Sequence, residues 1–260
     1  MKSRYYRIFG ADDRALILAL DHGGAGKFWL DSGMAIKAAV DAGVDAVLTN
    51  YGVAKRFKKE IGHAGLILRS EVYGTACSKG GNPFVSSPSE TPFTIEDAVR
   101  LGADAIITMG VAGFDYDKQN QLHVARVSAE CDRWGLLSGA EMLVGTGKSA
   151  SDYDIESLNT ICRAAAEIGA DFVKATYING EDFQKVVDNC FVPVVVLGGS
   201  KMPDEQLLTQ IRDALDHGAK GIAIGRNIWG REDVGPITRA LRKLIHEDCS
   251  VEEALKELKK

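Results

Sequence analysis

Eight apolar runs of strand length, separated by stretches of helical period, predict a (β/α)8 TIM barrel formed as a single domain over residues 1–260. The runs are continuously apolar rather than alternating, as parallel strands covered on both faces must be. A further sign is a recurring join. Asp41-Ala42-Gly43-Val44, Leu101-Gly102-Ala103, Ile168-Gly169-Ala170 and His217-Gly218-Ala219 each put a glycine where a helix closes before the next strand. A doubly wound open sheet is the alternative architecture.

The strand-length runs lie at 15–21, 46–50, 65–71, 104–110, 136–142, 172–177, 192–199 and 221–226. Helical period is plain in Met34–Val40 and in Ile155–Ile168. Residues 72–93 break the rhythm with Gly74, Gly80, Gly81, Pro83, Pro88 and Pro92. A long loop after strand 3 overhangs the C-terminal face of such a barrel, so this segment reads as a partial lid. Its alternative is a surface excursion without a catalytic part. The stretch from Val251 to Lys260 reads as an added amphipathic helix.

Charge and composition exclude several function classes. A net charge of −5 and scattered basic residues argue against a nucleic-acid partner. No apolar stretch reaches the ~18 residues of a membrane span, and the N-terminus lacks a secretory pattern, so no membrane partner and a cytoplasmic location are expected. Cys77, Cys131, Cys162, Cys190 and Cys249 have no paired spacing and read as reduced, mostly buried thiols. The five histidines are isolated, without HxH or HExxH, and no metal is expected. No GxGxxG follows a strand, so no dinucleotide, and no cofactor of any kind, is expected.

Catalysis in a (β/α)8 barrel sits at the C-terminal ends of the strands. There, Lys174 lies in the apolar run Phe172-Val173-Lys174-Ala175-Thr176-Tyr177, on the same face as Phe172 and Thr176 by period-2 alternation. An ammonium in such a strand must be paired or chemically used. Desolvation and nearby cations favour the free amine, which forms Schiff bases with ketones. The structural alternative pairs Lys174 with Asp21 or Glu141. Asp21 ends strand 1 and can orient the lysine or move protons, or it anchors a loop; His22 reads as loop support. Two glycine turns, Gly198-Gly199-Ser200-Lys201 and Gly225-Arg226-Asn227, follow strands 7 and 8, where this fold commonly grips a phosphate. Backbone N–H groups of Gly198, Gly199, Ser200 and Gly225, helix N-termini and the Arg226 guanidinium would hold the anion.

Leu18-Ala19-Leu20-Asp21-His22-Gly23, Phe172-Val173-Lys174 through Tyr177, Val196-Leu197-Gly198-Gly199-Ser200-Lys201 and Gly225-Arg226-Asn227-Ile228-Trp229 together resemble the archaeal-type class I fructose-bisphosphate aldolases of the DeoC/FbaB superfamily. The resemblance runs from about residue 10 to 247. It implies that Lys174 is the Schiff-base lysine, that Asp21 is an active-site acid, and that Gly199, Ser200, Gly225 and Arg226 hold the substrate phosphate. Fructose 1,6-bisphosphate, cleaved to dihydroxyacetone phosphate and glyceraldehyde 3-phosphate in glycolysis, is the implied substrate, and a homo-oligomer the implied assembly. One departure stands out. Strand 5 of those enzymes carries a tyrosine for proton transfer, whereas here it reads Ser138-Gly139-Ala140-Glu141-Met142-Leu143-Val144-Gly145. Either Glu141 takes over that role or the substrate differs. The superfamily also holds a thiolase for a phosphorylated dione and a synthase of aromatic-amino-acid precursors. A thiolase-like acyl transferase is therefore one alternative, and a non-catalytic sugar-phosphate binder another.

Overall fold

The computed structural model describes residues 2–22, 31–73, 90–145 and 154–259. After an N-terminal 3-10 helix, Ser3–Arg7, the elements run β1 Ala15–Leu20, α1 Ser32–Asp41, β2 Ala46–Thr49, α2 Tyr51–Arg56, α3 Lys58–Ile61, β3 Gly65–Arg69 and α4 Ile95–Leu101. They continue with β4 Ala105–Ala112, α5 Asp117–Trp134, β5 Leu137–Val144, α6 Ile155–Glu167, β6 Phe172–Ala175, α7 Gly180–Asn189, β7 Val194–Leu197 and α8 Asp204–Asp216. The order closes with β8 Gly221–Ile224, α9 Arg226–Trp229, α10 Val234–His246 and α11 Val251–Glu257. All eight strands pair in parallel and in chain order, and β8 returns to β1, so the sheet is a closed barrel and not the open alternative. Gly43, Gly102, Gly169 and Gly218 take positive φ at the helix-to-strand joins, as the sequence predicts.

Six of the strands are shorter than their apolar runs, whereas β4 and β5 run on two residues past theirs, to Ala112 and Val144. Strand β6 stops at Ala175, so Thr176 lies just beyond it, and β7 starts after Pro193, which has no N–H to give a ladder. Most of the segment expected to form a lid, residues 74–89, lies outside the described residues, as does Cys77. The other four cysteines are free thiols, three of them buried. Among the described residues no helix is long and apolar enough to cross a membrane.

Two apolar layers result. Side chains at Leu16, Leu18, Leu20, Val47, Leu66, Leu68, Val173, Val194, Val196 and Ile222 face outward into the helix layer. Those at Ala15, Ile17, Ala19, Ala46, Leu48, Ile67, Ala105, Ile107, Leu137, Phe172, Val195 and Ala223 fill the barrel. The Phe172 ring lies against Gly139 on the neighbouring strand, where a Cβ would overlap it. Phe9 meets Phe172 edge-on at 5.8 Å and stacks on Tyr5 at 4.7 Å, so the N-terminal 3-10 helix plugs the lower end of the barrel.

An aspartate immediately precedes β2, β4 and β6. Asp45 accepts from the Leu16 N–H at 2.6 Å, Asp104 from Leu66 at 3.0 Å and Asp171 from Ser138 at 2.7 Å. Each satisfies a backbone donor on the preceding strand at the rim. Basic residues then clamp this ring. Lys2 bonds Asp171 at 2.6 Å, and Arg4 and Arg7 lie 3.6 Å from Asp104. His246, the last residue of α10, bonds Asp45 through Nε2 and Asp12 through Nδ1, both at 2.9 Å.

Burial works against charge on His246, but its bonds to Asp45 and Asp12 outweigh that and raise its pKa. A raised pKa means the clamp contributes fully below the unfolded value of about 6.5 and is lost as pH rises through the higher folded value. Urea unfolding of the native chain should therefore lose stability from about pH 6.5 upward through that value. His246→Gln should flatten this slope; an unchanged slope in the variant would assign the pH dependence elsewhere.

Candidate active site

Strand parity lifts four charged side chains into the barrel mouth. Inward positions run Ile17 and Ala19 on β1, then Asp21 just past its end; Ile67, then Arg69 on β3; Leu137, Gly139, then Glu141 on β5; and Phe172, then Lys174 on β6. They form the next inward layer above the apolar fill. Each is 5% exposed or less. Register sets Glu141 directly beside Lys174 on adjacent strands.

The contacts form a chain across the mouth. The Lys174 ammonium lies 2.9 Å from Glu141 Oε1. Arg69 Nη2 donates to Glu141 Oε2, and Arg69 Nε donates to Asp21 Oδ2 at 2.8 Å. Tyr73 Oη donates to the same Asp21 oxygen at 3.3 Å, and its ring lies 5.5 Å from the Arg69 guanidinium carbon. His22 Nε2 lies 3.7 Å from Asp21 Oδ1. Glu71, just past β3, accepts from Ser70 Oγ at 2.6 Å and the Met109 N–H at 2.7 Å, with Oε2 3.6 Å from Arg69 Nη1.

Burial raises carboxyl pKa values, yet Asp21 and Glu141 move the other way. The charges of Arg69, His22 and Lys174 outweigh burial at Asp21, and those of Lys174 and Arg69 outweigh it at Glu141. Both are held well below the ordinary carboxylate range. At Glu71 burial prevails over Arg69 and the two hydrogen bonds, and the carboxyl is raised. Burial also lowers the His22 pKa against the pull of Asp21. Two carboxylates, a guanidinium and the Lys174 side chain thus share one buried site.

The turns after β7 and β8 are tied to each other. Buried Asn227 accepts from the Met202 N–H at 3.0 Å and donates to the Ser200 carbonyl at 3.0 Å and the Gly198 carbonyl at 3.5 Å. Gly199 adopts φ +73° in open space, a backbone state that side chains resist. Gly225 is small for packing: a Cβ there would strike the Ala19 carbonyl and the Trp229 indole, whose Nε1 donates to that carbonyl at 3.0 Å. Ser200 is exposed and Arg226 half-buried. Arg231 braces the second turn: it pairs with Asp204 and donates to the Asn227 carbonyl. The helix after the second turn, α9, has only four residues, so it adds little of the dipole expected there.

This barrel, with a buried lysine at the end of β6, matches a family model for DeoC/LacD aldolases over residues 15–231. The chain belongs to the DeoC/LacD family of aldolases. It is 36% identical over 94% of its length to the 2-amino-3,7-dideoxy-D-threo-hept-6-ulosonate synthase of Halobacterium salinarum, covering 91% of that protein. It is 31% identical over 98% of its length to the 3-hydroxy-5-phosphonooxypentane-2,4-dione thiolase of Klebsiella pneumoniae, covering 84% of it. An archaeal fructose-1,6-bisphosphate aldolase, solved with its catalytic lysine covalently bound to the carbinolamine intermediate, superposes with a TM-score of 0.82 at 29% identity. That match covers 93% of this chain and 98% of the other.

In this family member the three side chains expected to do chemistry, Lys174, Asp21 and Glu141, do converge. Their pairing differs from one expectation: Asp21 binds Arg69 and Tyr73, while Lys174 is held by Glu141. Glu141 points into the barrel, beside the lysine. Arg69, Glu71 and Tyr73 escaped the sequence reading as site residues. Arg69 carried the same signal as Lys174, a charge in the apolar run Gly65–Arg69, and Tyr73 carried none. Asn227 was visible only as part of a turn motif.

Asn227→Ala would remove the amide that pairs the half-buried Met202 N–H with the carbonyls of Ser200 and Gly198. A cost of about 0.5–1.5 kcal/mol per hydrogen bond lost is expected in urea unfolding. Native stability in the variant would show that the turns hold without the amide.

Proposed function

We propose that this aldolase is a class I, metal-independent enzyme in which Lys174 forms a Schiff base with a phosphorylated ketose. Fructose 1,6-bisphosphate is the first substrate to test. The observation that carries this reading is the buried Lys174–Glu141 pair, 2.9 Å apart, at the C-terminal end of β6. An ammonium there has a carboxylate in direct contact to take its proton. Once that proton moves, Lys174 no longer helps Arg69 hold Glu141 ionised, and the pair becomes amine plus acid. The amine adds to the C2 carbonyl; protonated Glu141 then gives its proton to the carbinolamine hydroxyl, which leaves as water, so that an iminium and a Glu141 carboxylate remain. A base, Glu141 or Asp21, takes the C4 hydroxyl proton as the C3–C4 electrons flow into the iminium and glyceraldehyde 3-phosphate departs. The enamine takes a proton at C3, and water returns the amine and dihydroxyacetone phosphate. The turns at Gly198–Ser200 and Gly225–Arg226 would hold the phosphate, through exposed N–H groups and the Arg226 guanidinium.

A second reading, transfer to another acceptor instead of simple cleavage, rests on one observation. Glu141 stands where the fructose-bisphosphate enzymes carry a tyrosine, and the 36% and 31% identical relatives are named a synthase and a thiolase. Product analysis with the ketose alone, with coenzyme A and with a second carbonyl compound separates the two chemistries.

Lys174→Met keeps the stem and removes the amine. It should abolish turnover and borohydride-trapped adduct while the fold survives. Near-normal activity in the folded variant would remove the Schiff base, and reversible binding by the native chain without adduct would favour a sugar-phosphate binder.

Arg226→Ala should raise KM for phosphorylated substrates roughly ten- to hundredfold and spare unphosphorylated analogues, since a charge-assisted contact contributes about 1.5–3 kcal/mol. Equal loss on both substrate types would take Arg226 out of the phosphate site.

A further inference from the structure

We infer that Arg69 is a positioning residue that fixes Asp21 and Glu141 as an oriented pair of bases for the Lys174 chemistry. The inference rests on the Schiff-base reading of Lys174.

The geometry is a fork spread across the barrel. The Arg69 side chain is fully buried, and its three nitrogens face three carboxyl groups. Nε binds Asp21 at the end of β1, Nη2 binds Glu141 on β5, and Nη1 faces Glu71 at 3.6 Å. In each of the two bonded carboxylates the guanidinium takes one oxygen and leaves the other. Glu141 Oε1 rests on Lys174, and Asp21 Oδ1 has no hydrogen-bond partner among the described residues. Arg69 therefore sets which oxygen of each carboxylate faces the reacting lysine or a substrate, with the planar rigidity that a lysine in its place would lack.

Charge supplies the second part. The titratable and charged groups around the fork are Asp21 and His22 after β1, Glu71 and Tyr73 after β3, Glu141 on β5, Lys174 on β6, and His123 on α5, 4.0 Å from Glu71. Of the cations, Lys174 must shed its charge to become a nucleophile. Arg69 does not lose its proton in the working pH range. Through the free-amine and carbinolamine stages it alone among the described residues keeps a fixed positive charge against both carboxylates. Without it, burial would push both carboxyls toward their protonated forms. The low values of Asp21 and Glu141, to which Arg69 contributes at both, fit that placement.

The test is the pH dependence of adduct formation on the full chain, with dihydroxyacetone phosphate as probe, borohydride as quench and mass spectrometry as readout. Absence of adduct in the native chain would overturn the Schiff-base reading itself, and with it this inference. With adduct present, Arg69→Met should move the acid limb of the profile up by about one to three pH units, because both carboxylates lose an opposite charge. An unmoved limb in folded Arg69→Met overturns the inference. Should that variant fail to fold, Arg69→Lys decides. Charge without the fork should leave the acid limb near its native position but slow adduct formation roughly tenfold or more, within the range of a displaced acid–base group. A native rate in Arg69→Lys overturns the positioning role.

Discussion

Two carboxylates, a guanidinium and an ammonium occupy the mouth of a barrel whose remaining interior is apolar, and they do so only in contact with one another. Each alone would face a desolvation cost of several kcal/mol, and as a chain they compensate. The constraint propagates outward. Asp21, Arg69, Glu141 and Lys174 must come from four strands, at one height, with their side chains inward. Only a closed parallel sheet whose strands keep their register can bring them there. The one-to-one register of Glu141 with Lys174 is where the sheet and the chemistry coincide.

The two ends of the barrel divide the labour. At the lower end, polar groups are spent on structure. Asp45, Asp104 and Asp171 cap backbone donors, and Lys2, Arg4, Arg7 and His246 neutralise them from the surface. The aromatic stack of Tyr5, Phe9 and Phe172 closes that end against water. At the upper end, polar atoms are left with unused capacity. Asp21 Oδ1, Arg69 Nη1 and Glu71 Oε2 have no hydrogen-bond partner among the described residues. A floor that is packed and a mouth that is under-satisfied is the arrangement expected where catalysis is confined to one face.

The strands and their closure were legible because burial on both faces leaves a direct trace in composition: Ala15–Leu20 and Val194–Leu197 contain nothing else. Lys174 was legible for the converse reason, a charge where only apolar residues belong. Arg69 broke the same rule but stands in the run 65–71 beside Ser70 and Glu71, where polar residues mark the end of a strand and a charge is unremarkable. The partner of Asp21 was not legible at all. It depends on the span from β1 to β3, a distance that no local pattern encodes. The glycines after β7 and β8 were visible, but not their reasons. Gly199 answers to backbone conformation and Gly225 to the Ala19 carbonyl on the neighbouring strand β1. Asn227, which joins the two turns, reads as an ordinary turn residue until the fold brings Gly198 and Ser200 beside it.

The most direct measurement is a crystal structure of the native chain soaked with a ketose phosphate and frozen before turnover. Continuous density is expected from Lys174 Nζ to the C2 carbon of the sugar, with the phosphate against the turns at Gly198–Ser200 and Gly225–Arg226 and with Glu141 Oε1 in reach of the nitrogen. A sugar phosphate bound at those turns, with the Lys174–Glu141 pair intact and no bond to C2, would contradict the assignment of Lys174 as the nucleophile.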